Sequence, residues 1–188
     1  MNEPIIHENP LPYVSSLESR PLDSIDLVVI HCTELPDLAT ARVYGQRIHY
    51  PETGTGNSGH FYVERNGRIE RWVSLERIAH HVRGFNARSI GIELDNNGRY
   101  PDWFDSRKQV MTDAYPLSQI NSLVSLLLKL RAELPNLEWV AGHESLDTSQ
   151  IQASDKPQVF INRKRDPGPL FPWDRLLPEI NLKRLHTD

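Results

Sequence analysis

Two histidines and one aspartate in this chain are the residue types of a hydrolytic metal site. His31 and His143 each come at the end of an apolar, strand-like run, and Asp166 lies in the sequence Lys-Arg-Asp-Pro-Gly. Two imidazoles and a carboxylate can hold one zinc ion and leave its fourth position open, whereas structural zinc sites use four protein ligands. Because the three residues are far apart in sequence, only a folded domain can bring them together. The pattern therefore predicts a Zn²⁺ site made of His31, His143 and Asp166.

Each of these residues also has an ordinary structural explanation when it is considered alone. Either histidine could be a hydrogen-bonded core residue, since histidine is intermediate in burial. Asp166 could accept hydrogen bonds from its own turn, as aspartates commonly do. However, Pro167 disfavours a helical backbone at Asp166 and holds it extended, which suits a fixed ligand. The prediction depends on the combination of the three residues.

Two further residues are candidates for catalysis. Glu93 lies in the alternating segment Ser89–Leu94, where a carboxylate is costly unless it is paired or functional. Gly91 leaves room beside it, so we predict that Glu93 is the general base that activates water. Lys164 precedes Asp166 by two residues, so both side chains point the same way in an extended segment, and Lys164 could stabilise an oxyanion. The alternatives are a surface salt bridge for Glu93 and a solvated loop charge for Lys164.

Size and composition limit the class of protein. A chain of 188 residues fits one domain with a real core, and its net charge of −4 argues against a broad nucleic-acid interface. Cys32 is the one cysteine of the sequence, so the fold has no internal disulfide. The N-terminal residues lack a secretion signal, and no apolar run is long enough to span a bilayer. We expect a cytoplasmic protein without a membrane span, with export by a signal-independent route as the alternative.

The pattern of apolar residues predicts one α/β domain, with a central mixed β-sheet flanked by helices and the zinc site at one edge. Residues 1–24 are predicted to be an N-terminal arm lying over a domain of residues 25–188. Asn66-Gly67 predicts a hairpin whose two central residues both have positive φ. The remaining elements are strands at 26–31, 61–65, 68–73, 89–94 and 138–143, helices within 37–49, 116–135 and 171–185, and irregular segments at 96–115 and 144–165.

Five segments of the chain together form one recognisable pattern. They are Val28–Thr33, with apolar residues before His-x-Thr; Ser58–Val63 with Asn66–Ile69; His81–Leu94; Gly142-His143; and Lys164–Pro169 with Phe171. In this pattern the chain resembles the zinc-dependent N-acetylmuramoyl-L-alanine amidases of the amidase-2 type. That family includes cytoplasmic muropeptide-recycling amidases, T7-lysozyme-like phage amidases and peptidoglycan recognition proteins.

The resemblance implies an activity and a set of site residues. The reaction would be hydrolysis of the amide between N-acetylmuramic acid and L-alanine, in peptidoglycan or in anhydromuropeptides. Zinc would be held by His31, His143 and Asp166, with Glu93 and Lys164 catalytic. T7-type members have cysteine as the third ligand, so Asp166 places the chain nearer the recycling branch. Candidates for substrate contact are His60, His81, Arg83, Asn86 and Arg88, the arginines as partners of a stem-peptide carboxylate.

The chain also departs from this family pattern. Recycling members usually carry Trp-His-Ala-Gly where this chain has His80-His81-Val82-Arg83, and residues 96–115 and 144–165 resemble insertions bordering the cleft. Two other functions are compatible with the sequence: a non-catalytic peptidoglycan-binding module, and a zinc peptidase or amidase acting on another amide. A recycling role predicts soluble muropeptides as substrate, and a lysis or effector role predicts intact cell wall.

Overall fold

The computed structural model describes residues 3–186, and a mixed β-sheet forms their centre. The strands are β1 Ile6–Glu8, β2 Leu27–Cys32, β3 Phe61–Val63, β4 Ile69–Arg71, β5 Ser89–Leu94, β6 Trp139–Gly142, β7 Gln150–Gln152, β8 Phe160–Asn162 and β9 Lys183–Arg184. Within the described residues the main sheet has the order β1-β4-β3-β5-β2-β6-β9. Strands β3 and β4 are antiparallel, and the other neighbours in this sheet are parallel. The predicted mixed α/β domain is confirmed.

Helices pack against this sheet. They are α1 Leu38–Gly45, α2 Leu117–Glu133, α3 His143–Leu146 and α4 Trp173–Glu179. Asp37 caps α1, because its carboxylate accepts a hydrogen bond of 2.7 Å from the Thr40 N–H. The apolar stripe of α2, which includes Ile120, Leu123 and Leu127, is buried in the core. Within residues 3–186 no helix has both the length and the apolar character needed to cross a membrane.

The central strand β2 is buried along its whole length. Val28 and Ile30 pack into the main core under α2, and Leu27 and Val29 pack into a smaller cluster. Parallel strands covered on both faces have this continuous apolar character, and burying each such side chain contributes about 1.5–3 kcal/mol. The strand therefore holds its carboxyl end, where His31 lies, in a fixed position.

The described N-terminal residues contribute a strand to the sheet and side chains to the core. Strand β1 pairs in parallel with β4 and forms one edge of the sheet. Leu11, Tyr13 and Leu17 are buried in a second core cluster. A strand of three residues is too short to give a periodic signal in the sequence, so the expected arm of residues 1–24 did not include this strand.

The hairpin between β3 and β4 exists, but its turn differs from the prediction. The Gly67 N–H donates to the Glu64 carbonyl at 2.9 Å, and the Glu64 N–H donates to the Arg68 carbonyl at 2.9 Å. Gly67 has φ 92°, whereas Asn66 does not have positive φ. The loop therefore has three residues and ends in a left-handed glycine, which is the next most common hairpin class.

The two predicted irregular segments are organised differently from each other. Residues 144–165 contain most of α3 and the antiparallel pair β7 and β8, so the prediction of a long loop there was wrong. Residues 96–115 form no helix or strand in the described structure. The two segments are joined, since the Ser154 N–H donates to the Phe104 carbonyl at 2.7 Å and Asp155 accepts from the Ser106 N–H at 2.7 Å.

Candidate active site and metal centre

The carboxyl ends of three adjacent parallel strands carry the candidate catalytic residues. His31 is the penultimate residue of β2, Glu93 is the penultimate residue of β5, and His143 directly follows β6. The register pairs His31 with Glu93 across β2 and β5, and it pairs Ile30 with Gly142 across β2 and β6. Side chains at the carboxyl ends of parallel strands meet at one edge of a sheet. Here they line a cavity of about 650 Å³.

His31, His143 and Asp166 converge on one point below this cavity. The Nδ1 atoms of His31 and His143 lie 2.9 Å and 3.0 Å from the same oxygen, Oδ2, of Asp166. All three residues are buried. Asp166 comes from the turn that the sequence placed before Pro167, so the structure brings together the three residues predicted as ligands.

The electrostatics of the cluster suit a cation. Burial, together with the neighbouring His143, lowers the pKa of His31 to about 4, which keeps its imidazole neutral. Burial alone would raise the pKa of Asp166, but the charges and hydrogen bonds of its partners His143, His31 and Lys164 hold it well below its usual value. A neutral imidazole and an ionised carboxylate are the forms that bind metals.

The geometry also fits a single ion. The candidate ligand atoms of the three residues all lie within 4.8 Å of one another. Ligand atoms about 2.0–2.2 Å from a tetrahedral zinc lie roughly 3.4 Å from one another. Small shifts of the three side chains therefore place their ligand atoms around one ion. Asp166 Oδ1 is buried and has no hydrogen-bond partner among the described residues. Buried polar atoms without partners are costly, and a cation can supply the missing interaction.

Glu93 faces the same cavity beside the cluster. Its Oε1 lies 3.9 Å from His31 Nδ1, and its side chain is 15 % exposed. Burial, together with the Asp166 charge, raises the pKa of Glu93 to about 8, and the Lys164 charge opposes this shift. The space at Gly91 is filled by His81, because a Cβ on Gly91 would lie 2.6 Å from the His81 ring. Gly59 instead makes the room beside Glu93, since a Cβ there would lie 2.9 Å from Glu93 Cγ.

Lys164, His81, Arg83 and Asn86 also line the cavity. His81 Nδ1 lies 3.0 Å from His31 Nε2, so His81 contacts a candidate metal ligand directly. The Asn86 side-chain oxygen accepts hydrogen bonds from the His81 and Val82 N–H groups at 3.0 Å and 2.8 Å. Asn86 therefore shapes the loop that carries His81 and Arg83.

His60 and Arg88 do not lie where the sequence prediction placed them. His60 is fully buried beneath the cavity: its Nδ1 accepts a hydrogen bond from the Gly91 N–H at 3.1 Å, and its Nε2 lies 2.8 Å from Arg20 Nη2. Arg88 forms a two-pronged ion pair with Asp26 outside the cavity. His60 therefore does not line the cavity as expected, and Arg88 is paired with Asp26, so its pairing with a substrate carboxylate stays a prediction. Both partners are distant in sequence, so local pattern gave no sign of these contacts.

Burial of His60 predicts a pH-dependent stability. Burial, together with the nearby Arg20 charge, lowers the pKa of His60 to about 3. The unfolded chain takes up this proton below about pH 6.5 whereas the folded chain does not, so stability is lost as pH falls from there toward 3. His60→Gln is expected to reduce the loss of unfolding free energy between about pH 7 and pH 4.5 by roughly 2 kcal/mol, measured by urea unfolding. His186 is exposed, so His186→Gln is the control and should lose as much unfolding free energy as the wild type. An equally large loss in His60→Gln would contradict the prediction that His60 causes it.

Some residues of the site were not found from the sequence. Glu34 lines the cavity three residues after His31, and its carboxylate pairs with the buried Arg99 at 2.7 Å. Tyr50 and Arg163 also line the cavity. The position of Glu34 after the first histidine was a usable signal, but its partner lies 65 residues further on.

The site has two histidines and an aspartate that can share one cation, and a second carboxylate lies beside them in the cleft. This arrangement is that of a hydrolase. The sheet presents His31, Glu93 and His143 at the carboxyl ends of β2, β5 and β6, which is where α/β folds place their active sites.

Residues 21–169 match the family model described as N-acetylmuramoyl-L-alanine amidase (Amidase_2), so the chain belongs to this family of amidases. It is 26% identical to the endolysin of Escherichia phage T7 over 136 residues, which cover 70% of this chain and 83% of the endolysin. It is 29% identical to the 1,6-anhydro-N-acetylmuramyl-L-alanine amidase AmpD of Haemophilus influenzae over 131 residues, covering 65% of this chain and 58% of AmpD.

A solved structure supports the fold. The N-acetylmuramoyl-L-alanine amidase LysCS of Clostridium intestinale superimposes with a TM-score of 0.64 at 19% identity, over 97% of this chain and 99% of LysCS. The predicted family and enzyme class are thus confirmed: the chain is a hydrolase of the N-acetylmuramoyl-L-alanine amidase family.

Proposed function

We propose that this amidase is zinc-dependent and cleaves soluble muropeptides between N-acetylmuramic acid and L-alanine. The observation that carries the proposal is the convergence of His31 and His143 on one oxygen of the buried Asp166. These three residues are the proposed zinc ligands, since two imidazoles and a carboxylate leave a position open for chemistry. When bound there, zinc would lower the pKa of water toward neutrality and polarise a carbonyl.

Glu93 is the proposed carrier of the proton. Its carboxylate faces the cavity from the strand adjacent to His31. It takes the proton of the attacking water and delivers it to the nitrogen of L-alanine as the amide bond breaks. Burial raises the pKa of Glu93 above its usual value, which makes its carboxylate a stronger base and its protonated form a donor suited to the leaving amine.

Lys164 is proposed to stabilise the negative charge that develops on the amide oxygen. Its side chain lines the same cavity as Glu93 and Asp166, and its positive charge acts on both carboxylates. A fixed positive charge in a partly buried site stabilises such an oxyanion more strongly than water does.

Arg83 is proposed to bind a carboxylate of the stem peptide. It is exposed at the cavity and has no ion pair among the described residues, whereas Arg88 is occupied by Asp26. His81 and Asn86 support the loop that carries it. The structure therefore favours Arg83 over Arg88 as the residue that meets an acidic substrate group.

Arg83→Gln is expected to raise KM about tenfold for muropeptides with free stem carboxylates and to leave kcat unchanged, because the lost contact is made equally in ground and transition state. With substrates whose stem carboxylates are amidated, variant and wild type should have the same KM. Steady-state kinetics on both substrates measure this. An equal rise in KM for the amidated substrate would mean that Arg83 has another role.

The substrate proposal rests on three observations. The third candidate ligand is an aspartate, which the resemblance associates with the recycling branch. The cavity has the volume of a small-ligand site, and one relative is named 1,6-anhydro-N-acetylmuramyl-L-alanine amidase. A cytoplasmic role in muropeptide recycling follows from this substrate.

Digestion of purified anhydromuropeptides and of intact sacculi, followed by mass spectrometry, tests the function. Free stem peptides that begin with L-alanine are the expected product, with faster turnover of the soluble substrate. Cleavage within the stem would identify a peptidase, and binding without any product would identify a recognition module. Faster turnover of sacculi would overturn the soluble substrate and favour a lysis role.

A further inference from the structure

The side chain of Arg99 is almost completely enclosed beside Glu34, which lines the cavity, and 1% of its surface is exposed. Its Nε donates to Glu34 Oε1 at 2.7 Å, and its Nη2 donates to Glu34 Oε2 at 2.8 Å. The Arg99 backbone N–H donates to Glu34 Oε1 as well, at 3.2 Å. This is the two-pronged pairing in which the planar guanidinium matches a carboxylate.

The remaining donors of the guanidinium reach the segment before Lys164. Nη1 donates to the Asn162 carbonyl at 3.2 Å and to Gln109 Oε1 at 3.1 Å, and Nη2 donates to the Arg163 carbonyl at 3.3 Å. All five N–H donors of an arginine thus have an acceptor. Two of the acceptors are the backbone carbonyls of the residues that immediately precede Lys164.

Glu34 is itself held in an unusual conformation. Its φ of 49° is the one positive value among the non-glycine residues that the structure describes. Trp103 Nε1 donates to its carbonyl at 2.9 Å, and a Cβ at Gly98 would lie 2.5 Å from Glu34 Cγ. Side chains with a Cβ rarely adopt this backbone region, and such outliers persist where the surroundings impose them. Here residues of the segment 96–115 impose the positive φ on Glu34, which lies three residues after His31.

We propose that Arg99 is a positioning residue that holds Lys164 in place against the end of β2. Its guanidinium joins Glu34, which follows His31, to the carbonyls of Asn162 and Arg163, which precede Lys164. The segment 96–115 therefore serves the catalytic site by carrying this arginine. The inference rests on the proposed catalytic role of Lys164.

Arg99→Lys separates hydrogen-bonding geometry from charge. A lysine keeps the positive charge beside Glu34, but a single ammonium group cannot reach the carboxylate and both carbonyls together. If Arg99 acts by positioning, the substitution should lower kcat about tenfold, since small displacements of a catalytic group have effects of this size or larger. KM should stay within about twofold of the wild-type value.

A double-mutant cycle with Lys164→Met tests whether Arg99 acts through Lys164. Lys164→Met alone is expected to lower kcat on the order of 100- to 1000-fold. In the Lys164→Met background, Arg99→Lys should cost less than about twofold, because the group that it positions is already absent. A further tenfold loss in the double variant would overturn the inference. Arg107→Lys is the matched control: Arg107 lies in the same segment, is 74% exposed and pairs with Asp105 at the surface, so kcat should not change.

Amide hydrogen exchange gives a measurement that does not depend on activity. Residues 160–166 should exchange faster in Arg99→Lys than in the wild type, and they should not change in Arg107→Lys. Lower activity with unchanged exchange in this segment would overturn the inference and leave the amidase function intact. Full activity of Lys164→Met would instead overturn the role proposed for Lys164. If Arg99→Lys does not fold, Glu34→Gln weakens the same pairing, and the same faster exchange and the same dependence on Lys164 are expected.

Discussion

Asp166→Ala is expected to lose zinc and activity together. Both candidate histidine ligands lie within hydrogen-bond distance of the Asp166 carboxylate, so its removal leaves two imidazoles without their shared anion. Zinc content measured by elemental analysis should fall from about one ion per chain to about none, and kcat should fall by at least about 1000-fold.

The matched control for this variant is Asp174→Ala, which removes an exposed aspartate from the first turn of α4. It should retain both zinc and activity. Removing zinc from the wild type with a chelator should reproduce the loss seen in Asp166→Ala, and added zinc should restore activity only in the wild type. An Asp166→Ala protein that keeps zinc and activity would remove Asp166 from the ligand set.

Glu93→Gln is expected to keep zinc and lose turnover. The amide has nearly the size of the carboxylate but cannot accept a proton from water. The expected loss in kcat is about 100- to 10,000-fold, the range found for general bases. The zinc content should stay near about one ion per chain, because Glu93 lies outside the group of three candidate ligands.

Glu138→Gln is the matched control for Glu93→Gln. Glu138 is half exposed and pairs with Lys183 at the surface, so its substitution should leave kcat unchanged. Wild-type turnover in Glu93→Gln would show that another group accepts the proton. Loss of zinc in this variant would show that Glu93 is a ligand.

Elements with strong local patterns could be predicted from the sequence. Strand β2 is a continuous apolar run, and α2 has a clear apolar stripe between Pro116 and Pro135. His31 and His143 were recognised at strand ends, but each was ambiguous alone, and the prediction that they share a site depended on their combination with Asp166. Asp166 was found because Pro167 restricts its backbone.

The features that were missed depend on distant contacts or on very short elements. Strands β1, β7 and β8 have three residues each, too few for a periodic pattern. His60 and Arg88 are ordinary polar residues in sequence, and only the folded chain brings Arg20 and Asp26 to them. The positive φ of Glu34 is likewise imposed by residues far along the chain.

The hydrogen bonds by which Arg99 joins residues 96–115 to residues 162–163 limit how this enzyme could be redesigned or diversified. A loop exchange that shortens the first segment removes Arg99 and leaves two carbonyls and the Glu34 carboxylate without their donor. An exchange confined to the second segment moves the acceptors away from the guanidinium. Replacing the loops of this enzyme will therefore require both segments to be exchanged together. Evolutionary lineages that gained or lost one segment are expected to have gained or lost the other as well.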